Sequence, residues 1–129
     1  MVGPRGAAPP RPDGGRASAA SDLGRAGEEL AAAWYRRAGF AVVAQNWRCE
    51  LGEIDLVCVR GRLLVVCEVK SRSGLGYGAP VEAVGISKQR RLRRLATRYL
   101  AEAGRGGVTV RFDVASVLAG RLEIVPAAF

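Results

Sequence analysis

A chain of 129 residues with 20 Lys and Arg against 12 Asp and Glu carries a net charge of +8 and a pI near 10.4. That length bounds it to one domain; the positive excess favours a polyanion such as nucleic acid as partner, although an Arg-, Ala- and Gly-rich composition also arises as a proteome-wide bias. The absence of histidine excludes a His acid or base, the lack of a CxxC pair argues against a Cys/His zinc site, and with neither a secretory-type apolar stretch nor a run of transmembrane length, a cytoplasmic protein without membrane contact is expected.

Residues 1–20, MVGPRGAAPPRPDGGRASAA, mix Pro, Gly, Ala and Arg without periodicity and bury too little apolar surface to order themselves. A disordered tail is expected there, ahead of a domain spanning 21–129. The first helix is predicted from a cap at Ser21 or Asp22 to a stop before Gly39, with Leu23, Ala26, Leu30 and Trp34 as its apolar stripe. A strand follows over Phe40 to Ala44. The segment Asn46-Trp47-Arg48 leads onward, with Trp47 read as a packed aromatic rather than a base-stacking platform; Arg48 beside it keeps the second option open.

The next stretch, GEIDLVCVRGRLLVVCEVKSR from Gly52 to Arg72, organises the chain. Its two apolar runs, Ile54 to Val59 and Leu63 to Val69, flank a short polar connection and so predict a hairpin. A two-residue loop of Gly61 and Arg62, with Gly first as a type II′ turn prefers, pairs Arg60 with Leu63, Val59 with Leu64 and Val57 with Val66. Continuing that ladder sets Asp55 opposite Glu68, at about 5 Å between Cβ atoms, and the strand period of two returns Lys70 to the same face. A one-residue slip would move Asp55 to the other face. Two carboxylates held this close repel unless a cation or proton lies between them. Asp55, Glu68 and the carbonyl of Val69 offer the oxygen ligands that Mg²⁺ takes, and Lys70 could hold a water or a developing anion. A cross-strand salt bridge from Lys70 to one acid is the plainer alternative. Eighteen of the twenty basic residues are Arg, so a Lys here points to a need for a tunable amine. Cys58 and Cys67 alternate with apolar neighbours and read as small core residues of a reducing compartment.

Ser71 to Pro80 is a Gly-rich connection in which Arg72 and Tyr77 could meet a phosphate or a base; it lacks the pattern of a nucleotide cradle. Pro80 to Val84 suggests a helical turn. A second long helix is predicted from a Ser87 cap to Ala103, stopped by Gly104. Leu92, Leu95, Ala96, Tyr99 and Ala103 share one face, and Arg90, Arg91, Arg93, Arg94 and Arg98 the other, an arc suited to phosphates or simply to solvent. Lys88 falls in line with Leu92, Leu95 and Tyr99 and so points towards the sheet from the first turn. Final strands are predicted over Val108 to Val114 and Arg121 to Val125, with Asp113 in structural pairing.

The linked strings Gly27-Glu28-Glu29, Asn46-Trp47-Arg48, GEIDLV at 52–57, CEVKSR at 67–72 and RFDV at 111–114 resemble the YraN-type bacterial family, which belongs to the PD-(D/E)xK superfamily of metal-dependent nucleases. The likeness covers roughly 23–124, and Ile54 stands where the superfamily name has Pro. It implies a restriction-endonuclease-like αβββαβ core, and the predicted order αβββαββ fits an α/β sandwich: a mixed sheet with the antiparallel hairpin at its centre, flanked by helices. It also implies Mg²⁺ or Mn²⁺ at Asp55 and Glu68, Lys70 as the residue positioning water, Glu28 approaching the site from the first helix, Lys88 as an auxiliary basic group, and phosphate contacts from Arg72, Arg90, Arg91, Arg93, Arg94 and Arg98. Helical spacing, by contrast, puts Glu29 nearer the predicted apolar stripe. The expected activity is phosphodiester hydrolysis in DNA or RNA. A non-catalytic nucleic-acid-binding module of the same fold, or an adaptor using its basic helix on an acidic protein, are the other readings.

Overall fold

A computed structural model describes residues 16–72 and 84–129, with side chains from Asp22 onward. The order is α1 (Arg16–Arg37), β1 (Ala41–Cys49), β2 (Gly52–Arg60), β3 (Leu63–Arg72), α2 (Ile86–Ala103), β4 (Thr109–Leu118) and β5 (Arg121–Val125). The five strands form one mixed sheet in the order β1-β2-β3-β4-β5. Its single parallel pair is β3 with β4; the others are antiparallel. This is an α/β architecture with the β2–β3 hairpin inside the sheet. Among the described residues no helix is long and apolar enough to cross a membrane.

The hairpin has the expected frame: Arg60 pairs with Leu63, Val59 with Leu64 and Val57 with Val66. Gly61 takes φ 59 and Arg62 remains at negative φ, as a type II′ turn requires. Strand alternation then sends the two sets of side chains to opposite helices. Leu64, Val66, Val57, Phe112 and Val114 pack under Leu92, Leu95, Ala96 and Tyr99 of α2. Val65, Cys67, Cys58, Leu56 and Ala115 pack under Ala31, Ala32 and Tyr35 of α1. Each fully buried Val or Leu contributes about 1.5–3 kcal/mol relative to exposure, so the sheet holds both helices.

The first helix differs from expectation in two ways. It starts at Arg16, because the Ala-rich run before Ser21 is itself a good helix former. Its buried stripe is Gly27, Ala31, Ala32 and Tyr35, while Leu30 is exposed. Small residues prevail because the helix lies very close to β3: a Cβ on Gly27 would come within 1.9 Å of the Ser71 hydroxyl. Close approach selects for small side chains, and Leu30 is turned outward. Among the strands, β1 runs five residues beyond Ala44 and β4 four beyond Val114. In α2 the N-cap is Gly85, without a side-chain hydrogen bond, so Ser87 is not the cap; Gly104 ends the helix at φ 66 as expected, while Ala103 is exposed. The expected turn over 80–84, and Tyr77 in the Gly-rich connection, lie outside the described residues apart from buried Val84.

Asp113 is completely buried and structural. It accepts hydrogen bonds from the Tyr35 hydroxyl at 2.6 Å, from Arg111 at 2.8 and 2.9 Å and from the Ala127 amide at 3.0 Å, tying α1, β4 and the C-terminal residues together. Burial, with the Asp113 bond and charge adding to it, holds the Tyr35 phenol far above its ordinary pKa.

Candidate functional site

The regular β2–β3 ladder reaches Leu56 and Cys67, and the next step in that register is Asp55 with Glu68. Here the backbone pattern changes. Ile54 and Val57, three residues apart, both pack under α2, and on the neighbouring strand Ala44 and Trp47 do the same. A strict period of two cannot give that, so both strands turn out of alternation at one level. On β1 the turn is made at Asn46, which takes φ 54. On β2 it frees the Asp55 carboxylate to accept the Val69 amide at 2.8 Å.

Asp55 and Glu68 open into one cleft of about 170 Å³, lined also by Glu53, Lys88, Arg91, Leu92 and Leu95. Glu68 is buried, and one of its oxygens lies 2.6 Å from the Lys88 amine and 3.6 Å from the Lys70 amine. Burial first, and then the charge of Glu68, push the Asp55 carboxyl up to about 7, against the opposing pull of the Val69 amide; Glu28 and Glu53 add to the rise. For Lys88, burial works against the charged amine, but the bond to Glu68 and the charges of Glu68 and Asp55 outweigh it and hold the pKa above that of an ordinary lysine.

Four of the sequence-predicted residues, Asp55, Glu68, Lys70 and Lys88, therefore converge. Glu28 comes to the same end of the sheet from α1. It is half-buried, accepts a hydrogen bond from the Asn46 side-chain amide at 3.0 Å, and its charge acts on Asp55. Burial raises its carboxyl pKa and the Asn46 bond lowers it in part. Glu29 is exposed. The helical-wheel preference for Glu29 rests on the wrong stripe; with Ala31, Ala32 and Tyr35 inward, Glu28 lies on the buried side at i−3, i−4 and i−7.

The arginine arc divides. Arg91 lines the cleft, and Arg90 and Arg94 are exposed. Arg93 lies over the rings of Phe112 and Phe129, at 4.9 and 5.4 Å from their centroids. Arg98 is engaged with Glu50 and Glu102. Arg72 ends β3, where its carbonyl accepts the Ala119 amide. Trp47 packs edge-to-face on Tyr99 at 5.4 Å, as a core aromatic. Sequence reasoning missed Glu53 and Asn46 as members of this end of the fold. Extending the register to β1 would have found Asn46, which falls across from Asp55 in the frame set by Trp47 with Ile54 and Gln45 with Leu56.

As a cation site the cleft offers oxygen donors only. Among the described residues no three His, Cys, Asp or Glu side chains form a ready-made metal cage. The carboxylates that line it, Glu53, Asp55 and Glu68, are hard oxygen donors of the kind taken by Mg²⁺, which keeps several waters and binds through one or two carboxylates plus substrate oxygens. A thiolate-preferring soft metal does not fit this donor set.

Comparison with known proteins places these residues in a wider group. The family model of the uncharacterised protein family UPF0102 matches residues 27–117. The chain is 51% identical over 98 residues to a UPF0102 protein of Rhodococcus jostii (strain RHA1), covering 76% of this chain and 83% of that one. It is 51% identical over 96 residues to one from Nocardia farcinica, covering 74% and 76%. With a third, from Acidothermus cellulolyticus, it shares 48% identity over 114 residues, covering 81% and 86%.

Proposed function

We propose that this chain, which belongs to the uncharacterised protein family UPF0102, is a divalent-metal-dependent nuclease that hydrolyses phosphodiester bonds in DNA or RNA on a restriction-endonuclease-like PD-(D/E)xK core. The observation that carries the reading is the cleft itself: a half-buried Asp55 beside a buried Glu68, two lysines on one of the Glu68 oxygens, and Arg91 at its wall. Asp55 with a carboxyl at about 7 is a group in want of a cation near neutrality.

In this reading Asp55, Glu68 and the Val69 carbonyl hold Mg²⁺ or Mn²⁺. The ion, when bound, acidifies a water and stabilises charge on a phosphoryl oxygen. The residues supply the rest. Lys70 holds the attacking water on the strand face it shares with Glu68. Lys88 bonds Glu68 from α2, fixing its carboxylate and facing the anionic substrate. Glu28 supports the same end from α1. Arg91, Arg90 and Arg94 receive backbone phosphates, contacts that confer affinity without sequence preference. The free thiols Cys49, Cys58 and Cys67 suit a reducing cytoplasm.

The test is cleavage of labelled single- and double-stranded DNA and RNA with Mg²⁺ or Mn²⁺. Wild type cleaves at least one of them, chelator stops it, and Lys70→Ala abolishes cleavage with an unchanged melting temperature. Equal trace cleavage by wild type and Lys70→Ala means contamination and sinks the assignment. One observation favours a second reading, a non-catalytic nucleic-acid-binding module: Lys70 and Lys88 already balance Glu68 without an ion. Salt-sensitive binding that ignores divalent ions would select it.

A further inference from the structure

Asn46 has a left-handed backbone, at φ 54, in the middle of a β-strand. Such a conformation is uncommon for any residue with a side chain and least costly for Asn. Strand irregularities of this kind recur next to active sites, where they re-aim a side chain. Here the effect is visible on both sides of the residue. Ala44 and Trp47 keep their places under α2, and between them the Asn46 amide reaches α1, where it donates to Glu28 at 3.0 Å. A carboxylate can only accept, so the bond fixes which end of the Asn46 amide faces it. Asn46 also falls across from Asp55 in the β1–β2 frame. A left-handed turn, a bond to one acid and a place beside another meet in one side chain.

We infer that Asn46 is a positioning residue for the proposed site: its left-handed turn in β1 carries the side-chain amide across to α1, where it holds the Glu28 carboxylate towards Asp55 and Glu68. The inference rests on the nuclease reading for its catalytic consequence but not for the contact itself. Burial raises the pKa of Glu28, and the Asn46 bond partly counters this by favouring the ionised form, the form that can meet a cation or a water.

The variant Asn46→Gly separates geometry from amide, since Gly accepts the left-handed backbone freely and lacks the donor. It should keep the wild-type melting temperature within a few degrees. It should lose about 10- to 100-fold in both Mn²⁺ affinity by calorimetry and kcat on a labelled oligonucleotide, the usual cost of removing a group that orients another. Added to Glu28→Ala it should cost nothing further, because its effect passes through Glu28. Undiminished affinity and rate in Asn46→Gly, or losses that multiply in the double variant, overturn the inference while leaving the nuclease reading standing. Wild type that binds Mn²⁺ but cleaves nothing sinks the nuclease reading, and the cation affinities of the two single variants and the pair still decide the role of Asn46. Wild type that neither binds nor cleaves sinks both.

Discussion

The Asp55→Asn substitution turns the electrostatics of the cleft into a stability measurement. Asp55 titrates at about 7 in the folded chain against an ordinary value of 3.8, first because it is buried and then because Glu68 is beside it. Between those two values the folded state binds a proton that the unfolded state has released, so stability falls as pH rises through the window, and the full penalty is present above pH 7. Three tenfold steps at roughly 1.4 kcal/mol each give a penalty on the order of 4 kcal/mol. Asn cannot ionise and its side-chain oxygen can still accept the Val69 amide. Urea titrations of both proteins at a series of pH values, without divalent ions, should therefore show the stability of the Asp55→Asn variant rising relative to wild type by about 3–4 kcal/mol from pH 4 to pH 8. Mg²⁺ added at pH 8 should recover much of that difference in wild type and none in Asp55→Asn. Curves that remain parallel across the pH range would refute the account of a strained carboxylate pair.

Three further outcomes follow from the packing. Tyr35→Phe removes the 2.6 Å bond to buried Asp113, a loss of about 1.5–3 kcal/mol for a bond to a charged group, read as a melting temperature lower by roughly 6–12 °C for a domain of this size; a drop under about 2 °C would contradict it. Gly27→Ala drives a methyl into the Ser71 hydroxyl and should cost about 1–3 kcal/mol. Ser71→Ala should restore part of that and be nearly neutral alone, because the hydroxyl finds no hydrogen-bond partner among the described residues; a Gly27→Ala variant as stable as wild type would show that the helix can simply move away. Arg90→Ala and Arg94→Ala should each reduce the slope of log affinity against log salt for a nucleic acid by about 0.9, and unchanged slopes would remove this face of α2 from the interface.

What the sequence makes legible is what local geometry determines. A two-residue loop opening with Gly admits one ladder, so Asp55 and Glu68 can be brought together on paper, and the period of α2 assigns Lys88 to the sheet side with Leu92 and Leu95. The first helix is harder to read because apolar bulk is a poor guide where backbones nearly touch: Gly27, Ala31 and Ala32 carry little hydrophobic signal and form the contact. Tyr35 and Asp113 are 78 residues apart, and no periodicity links an α-helical hydroxyl to a carboxylate on a strand yet to be paired. Glu28 is favoured only by family likeness; the stripe that makes sense of it depends on packing that no wheel contains.

The distortion in β1 also bears on solubility. Among the described residues this strand lies on the outer rim of the sheet and pairs on one side only, and a strand with an open row of backbone groups is a standing invitation to another chain. An irregularity between Val42 and Ala44 and the left-handed Asn46 interrupt it twice within nine residues, leaving no straight template on which an intruding strand could zip. The opposite rim, β5, is only five residues long. The fold thus protects both margins against amyloid-like stacking, on one side with the same backbone kink that serves the cleft.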